Sequence, residues 1–200
     1  MTPAAAHYTS TGLDNKKLAF WAFIGSECLL FGSLISTYLV YKGRSVSGPT
    51  PHEILNIPVT SVSTFDLLMS SLAMVLALAA VSRGDKVWAR FWLGTTAFLG
   101  LVFLGFQYYE FTSFVREGLT IKTNLFGSTF FTLTGTHGAH VAVGVLLLLT
   151  LLVRSFQGKL GPEKAINVEV TGLYWHFVDV VWIVIFTVVY LIQTTPLPAS

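Results

Sequence analysis

Five stretches of this chain are apolar almost throughout, at about 18–41, 59–82, 87–114, 125–153 and 168–192. That pattern leaves few ways for it to fold. A hydrocarbon layer takes about 20 helical residues to cross, and within lipid every backbone N–H and C=O must be bonded inside the structure. Runs of this length therefore read as transmembrane helices. Charged residues are 11% of the chain, far below the roughly 25% of a soluble domain, and this supports the same conclusion. The expected fold is all-α, an integral membrane bundle of five transmembrane helices, with residues 1–200 as a single transmembrane domain. A net charge of +2, scattered among loops, points away from nucleic acid as a partner.

The punctuation between the runs agrees. Met1 to Lys17 is polar and lacks the apolar core of a signal peptide, so no cleaved targeting segment is expected. Gly25 and Gly32 in the first run allow close helix approach. A loop with Gly48, Pro49 and Pro51 follows, and Pro58 opens the second run, which carries Asp66. The short turn Arg83-Gly84-Asp85-Lys86 implies an antiparallel hairpin. Near the end of the third run, Tyr108 and Tyr109 fit an interfacial aromatic belt, and Gln107 with Glu110 reads as a helix-end contact to headgroups or a neighbouring loop. Gly127, Gly135, Gly138 and Gly144 mark the fourth run as a tightly packed helix. A polar turn at 157–162 leads to the fifth, and Pro196 and Pro198 follow it. The sixteen Phe and five Trp read as lipid-facing and interfacial. The lone Cys28 can form no intrachain disulfide.

Lys16, Lys17, Arg83, Lys86, Arg90, Arg154, Lys159 and Lys164 lie on one side of the membrane, and only Lys42, Arg44, Arg116 and Lys122 on the other. The positive-inside rule then puts the N-terminus in the cytoplasm and, with an odd number of spans, the C-terminus outside. Glu110 falls near the outer surface and Glu169 near the inner one. Glu27, His137, His140, His176 and Asp179 all fall near mid-membrane, where ionisable groups are costly and need one another as partners.

The stretch Tyr174-Trp175-His176-Phe177-Val178-Asp179-Val180-Val181-Trp182 concentrates that problem. At about 100° per residue, His176 and Asp179 sit about 60° apart on one helix face, with Glu169 and Gly172 on the same side. Two readings stay open for them, a satisfied polar packing contact or a role in handling a proton or ligand. Glu27 and His140 each lie about halfway along a run and are expected to pair, as a neutral hydrogen bond or an ion pair, with His137 or His176 as the next candidates. His137 and His140, at i and i+3, offer two nitrogens to a metal, but a transition-metal site needs further ligands from His176 or a carboxylate. No phosphate-cradling loop, zinc-binding cysteine set or nucleophile elbow is present in the sequence.

Three blocks together resemble the last two helices of subunit III of haem-copper terminal oxidases. They are Gly127-Ser128-Thr129-Phe130-Phe131, Thr134-Gly135-Thr136-His137-Gly138-Ala139-His140-Val141 with Gly144, and Tyr174 to Trp182. Gly25-Ser26-Glu27 resembles the family's membrane-embedded glutamate motif. Gln107 to Phe111 looks like its Gln-x-x-Glu-Tyr, with Phe111 in place of the tyrosine. The order agrees over nearly the whole chain, in the five-helix bacterial form that lacks the first two helices of the longer members and occurs in cytochrome c and quinol oxidases alike.

The resemblance implies a non-redox accessory subunit of a proton-pumping complex that reduces dioxygen to water in a bacterial cytoplasmic membrane. It implies no catalytic, cofactor or metal residue on this chain, with haem and copper on partner subunits I and II. It also implies direct packing on subunit I, bound phospholipid, and support of assembly, proton uptake and turnover stability. Its motif residues here are Glu27, Gln107, Glu110, His137, His140, Trp175, His176 and Asp179. The family's V-shaped lipid cleft is incomplete without the two missing helices, so a neighbouring subunit or lipid fills that place. Two other classes remain: a self-contained transmembrane haem protein using His137, His140 and His176, and a proton or ion transporter, although the interrupted or repeated helices of transporters are not seen. His7 and His52 lie outside the runs.

Overall fold

The computed structural model describes residues 15–45 and 55–192. His7, Gly48, Pro49, Pro51, His52, Pro196, Pro198 and the side chain of Lys16 lie outside what it describes. Five helices are long and apolar enough to cross a membrane, and no strand occurs among the described residues. They are α1 (Asn15–Tyr41), α2 (Ile57–Ser82), α3 (Lys86–Arg116), α4 (Leu125–Phe156) and α5 (Ala165–Phe186). A 3₁₀ turn at Pro162–Lys164 leads into α5, and a π-helical turn at Thr187–Leu191 continues it.

Local chemistry sets the helix starts. The first N–H groups of a helix have no intrahelical acceptor, and a short polar side chain just before them supplies one. Asn56 accepts from Val59 N–H with Pro58 in the first turn, and Asp85 accepts from both Val87 and Trp88 N–H at 3.1 Å. Asn124 accepts from Gly127 N–H at 2.7 Å. Gly84, at φ +76°, takes the left-handed conformation that closes the α2–α3 hairpin.

The hairpin forms the most extensive helix pair, and α5 packs across α2 and α4. In contrast, α1 leans on α4 and α5 and is the least buried span. Its contacts come from large side chains, Phe31 and Tyr38 among them, rather than from its glycines. A Cβ at Gly25 or Gly32 would meet nothing within 4 Å, so the close approach expected there does not occur. Where α1 ends, the Lys42 ammonium donates to the Val188 carbonyl at 2.7 Å and to that of Ile192, and it lies 5.6 Å from the centre of the Tyr38 ring. Orphan carbonyls at the end of the last span are thereby capped by a cation. Partial burial holds the Lys42 pKa below its ordinary value.

The aromatic residues do not all face lipid. Trp175 and Trp182 are almost fully buried, as are Phe31, Phe103, Phe126 and Phe130, while Trp21 and Trp88 are exposed. Lipid is as apolar as the bundle interior, so a large side chain goes inside for contact area and hydrogen bonding rather than to escape solvent. Tyr108 and Tyr109 are exposed.

Candidate functional site

The polar residues singled out in the sequence sort into separate seams between helices. In the α1–α4 seam, His140 Nε2 lies 3.0 Å from Glu27 Oε2. The other ring nitrogen, Nδ1, is 2.8 Å from the Thr136 carbonyl, which can only accept, so Nδ1 carries a proton. The short Nε2–carboxyl contact then requires one further proton, held either as Glu27 O–H or as imidazolium N–H. Tyr174 closes the seam from α5 by donating to the His140 carbonyl at 3.0 Å, and the Phe31 ring covers the imidazole edge-on at 5.0 Å.

His137, one helical turn before His140, does not join them. It is fully buried, stacked on Trp182 at 4.8 Å and flanked by the edges of Phe103 and Phe31. Neither of its nitrogens has a partner among the described residues, so the mutual pairing expected of all five mid-membrane groups fails at this position. The cause is orientation: residues three apart on α4 differ by about 60°, enough to turn one ring to α1 and the other to the aromatic centre.

In the α2–α5 seam, Ser71 Oγ donates to Asp179 Oδ2 at 2.6 Å and lies 3.2 Å from His176 Nδ1. Asp179 is 5% exposed and His176 half-buried, and their link runs through a serine rather than directly. Glu169 turns to α1 instead and bridges Lys17 at 2.7 Å, while Gly172 packs on Met74. Trp175 spans three helices. Its Nε1–H donates to Ser70 Oγ on α2 at 2.9 Å, and its ring fills the space over Gly100 of α3 and Gly144 of α4. A Cβ on Gly100 or Gly144 would stand 2.5 Å or 2.7 Å from that ring, so only glycine admits it.

Gln107 and Glu110 correct the expectation of a headgroup contact. Both point inward and are 7% and 6% exposed. Gln107 Nε2 donates to the Thr134 carbonyl at 2.7 Å against the bare backbone of Gly138, and Glu110 accepts from the Thr60 hydroxyl and from Tyr190. Depth near a membrane surface does not decide facing, and these two lie one turn apart on the side of α3 that meets α2 and α4. Several partners escaped the sequence reading: Thr60, Thr64, Ser70 and Ser71 on α2, Thr134 on α4 and Tyr190. A signal existed in the hydroxyl residues of α2 at 60, 64 and 71, which recur at i, i+4 and i+11 along one face of an otherwise apolar helix.

Two grooves open on the α1–α4–α5 surface. One of about 540 Å³ is lined by Phe20, Phe23, Glu27, His140 and Tyr174 among others, and the other, of about 470 Å³, runs from Phe20 and Leu147 to Arg154, Asn167 and Thr171. Among the described residues no cluster of three or more His, Cys, Asp or Glu has a metal-binding arrangement.

A family model described as cytochrome c oxidase subunit III matches residues 4–194. Cytochrome c oxidase subunit 3 of Bacillus sp. (strain PS3) is 46% identical over 177 residues, covering 88% of this chain and 86% of that protein. Cytochrome c oxidase subunit 3 of Bacillus subtilis (strain 168) is 41% identical over 190 residues, or 94% and 92% of the two chains. Quinol oxidase subunit 3 of the same organism is 39% identical over 174 residues, or 87% and 85%.

Proposed function

The chain belongs to the cytochrome c oxidase subunit III family, and from that premise we propose that it is the accessory, non-redox third subunit of a proton-pumping haem-copper terminal oxidase. Dioxygen reduction takes place on partner subunits I and II, which carry haem and copper. This chain packs directly on subunit I and supports its assembly, lipid binding, proton uptake and stability under turnover. The observation that carries the non-redox part is the commitment of the histidines. His140 uses both nitrogens within the protein, and His137 is sealed among aromatic rings that leave no room for a macrocycle. His176 is turned by Ser71 into a different seam.

The two grooves support phospholipid binding: their walls suit acyl chains, and Arg154 offers a cation for a phosphate at one end. Residues 1–200 form one transmembrane domain in a bacterial cytoplasmic membrane, with the N-terminus cytoplasmic and the C-terminus outside, which the uneven Lys and Arg count supports. Glu27, Gln107, Glu110, His137, His140, Trp175, His176 and Asp179 are its buried polar motif. Relatives named for quinol oxidation favour a second reading of the complex, in which quinol replaces cytochrome c as donor. The accessory role is the same in both.

The test is purification in mild detergent. A haem-bearing large subunit should accompany the chain, and the chain separated from it should show no haem absorbance and no oxidase activity. Stoichiometric haem or copper on the separated chain would refute the proposal.

A further inference from the structure

We propose that Glu110 is an internal proton-binding site, loaded through the Thr60 hydroxyl from the membrane face where α2 begins and α3 ends. Glu110 lies about 9 Å below the end of α3 at about 1.5 Å per residue, and Thr60 lies in the first turn of α2. Thr60 Oγ1 stands between two acceptors, the Glu110 carboxyl and, at 3.0 Å, the Asn56 carbonyl. A hydroxyl has one proton, so it cannot serve both at once. Two arrangements satisfy the geometry. With Glu110 ionised, Thr60 and Tyr190 both donate to the carboxylate, and Asn56 accepts from the Thr60 backbone N–H alone, at 3.1 Å. With Glu110 protonated, its O–H donates to Thr60 Oγ1, Thr60 turns its own proton to the Asn56 carbonyl, and Tyr190 still donates to the carboxyl. In passing from the second to the first, the Thr60 proton leaves to a surface water at the exposed Asn56 and the Glu110 proton replaces it on Oγ1. One proton reaches the surface, and the reverse step loads the site.

The surroundings favour the loaded form. Glu110, Thr60 and Tyr190 are all buried, and Glu110 takes part in neither ion pair of the described residues. The other titratable groups at this end of the bundle supply no counter-charge. Tyr190 and Tyr38 are buried phenols, and the Lys42 ammonium is committed to the Val188 and Ile192 carbonyls. Taking an unpaired carboxylate out of water is costly, and a bound proton removes that cost. The same packing decides the route. Phe130, Trp182 and Phe186 close the Tyr190 side, so Thr60 is the polar link between the carboxyl and the water at Asn56.

Infrared spectroscopy of the purified complex tests this. At neutral pH a protonated-carboxyl C=O band should be present that Glu110→Gln removes and Glu110→Asp displaces, which assigns it among the other carboxyls. In heavy water that band should shift as O–H becomes O–D, with the complex still folded. Thr60→Val keeps the side-chain volume and the band but breaks the relay, so the shift should slow by about tenfold, the rate equivalent of one lost hydrogen bond, and Thr60→Ser should restore the wild-type rate. If Glu110→Gln does not assemble, the displaced band of Glu110→Asp carries the assignment. A spectrum that neither change at Glu110 alters in this region would show the carboxyl ionised and overturn the proposal. So would a wild-type band that does not shift in the folded complex, or equal exchange rates in Thr60→Val and wild type.

Discussion

Glu27→Gln and Glu27→Ala should differ sharply, because the geometry around His140 fixes what the carboxyl supplies. With Nδ1 donating to the Thr136 carbonyl, Nε2 needs one proton from or towards Glu27 across 3.0 Å. A glutamine amide can donate to the neutral Nε2, so Glu27→Gln should cost no more than about 1 kcal/mol, the net worth of one hydrogen bond. Alanine leaves Nε2 with no partner at a position where the two side chains are only 15% and 19% exposed. That costs about 1–3 kcal/mol for a neutral group and about 3–5 kcal/mol if a buried charge is stranded. His140→Ala strands Glu27 in the same way, so the double variant should lose much less than the sum. A double-mutant cycle, read as subunit release on heating or as retention in detergent, gives the coupling directly. Oxygen consumption per retained complex should change less than retention does. Additivity within about 0.5 kcal/mol would refute the pairing, since independent sites add to that accuracy. Equal damage from Gln and Ala would refute the hydrogen-bond argument and leave charge as the cause.

Gly144→Ala should destabilise the bundle by about 1–3 kcal/mol in thermal unfolding in detergent, because its Cβ overlaps the Trp175 ring. Trp182→Phe keeps most of the ring packing but loses the 3.0 Å bond from Nε1–H to Thr64 Oγ1, and should cost about 1 kcal/mol in the same assay. Glu110→Gln retains an acceptor for Thr60 and Tyr190 and should be mild, whereas Glu110→Ala takes that acceptor away, leaves Thr60 its second acceptor on the Asn56 carbonyl, and should cost about 1 kcal/mol; equal losses would show that the bonds to Glu110 contribute nothing.

The five spans were legible because length and hydropathy alone decide what crosses a bilayer, whereas the caps Asp85 and Asn124, short-range signals of helix starts, were not read as caps. The Glu27–His140 contact was also within reach, since both residues sit about halfway along their helices and α1 packs on α4. Facing was harder to read. Gln107 and Glu110 lie in the last third of a 31-residue helix, where depth suggests headgroups, but their azimuth turns them inward. The serines and threonines of α2 escaped notice for another reason. In an apolar helix such side chains satisfy themselves on the preceding turn, as Thr64 does on the Thr60 carbonyl at 2.7 Å, so composition does not reveal which of them also reach across.

What those hydroxyls accomplish follows from the spacing of the two buried tryptophans. Trp175 and Trp182 are seven residues apart and face the same side of α5, and the oxygens they reach, on Ser70 and Thr64, run the opposite way along α2. Seven residues rise about 10.5 Å and six about 9 Å, so both bonds can form together only in one antiparallel register. A slip of one turn, about 5.4 Å, breaks both and leaves two indole N–H groups buried without partners. That register has a consequence for the polar seam. Ser71 follows Ser70 and His176 follows Trp175, so fixing the first pair brings the second within 3.2 Å and sets Asp179, one turn on, against the same serine. The tryptophans therefore hold the half-buried imidazole against Ser71.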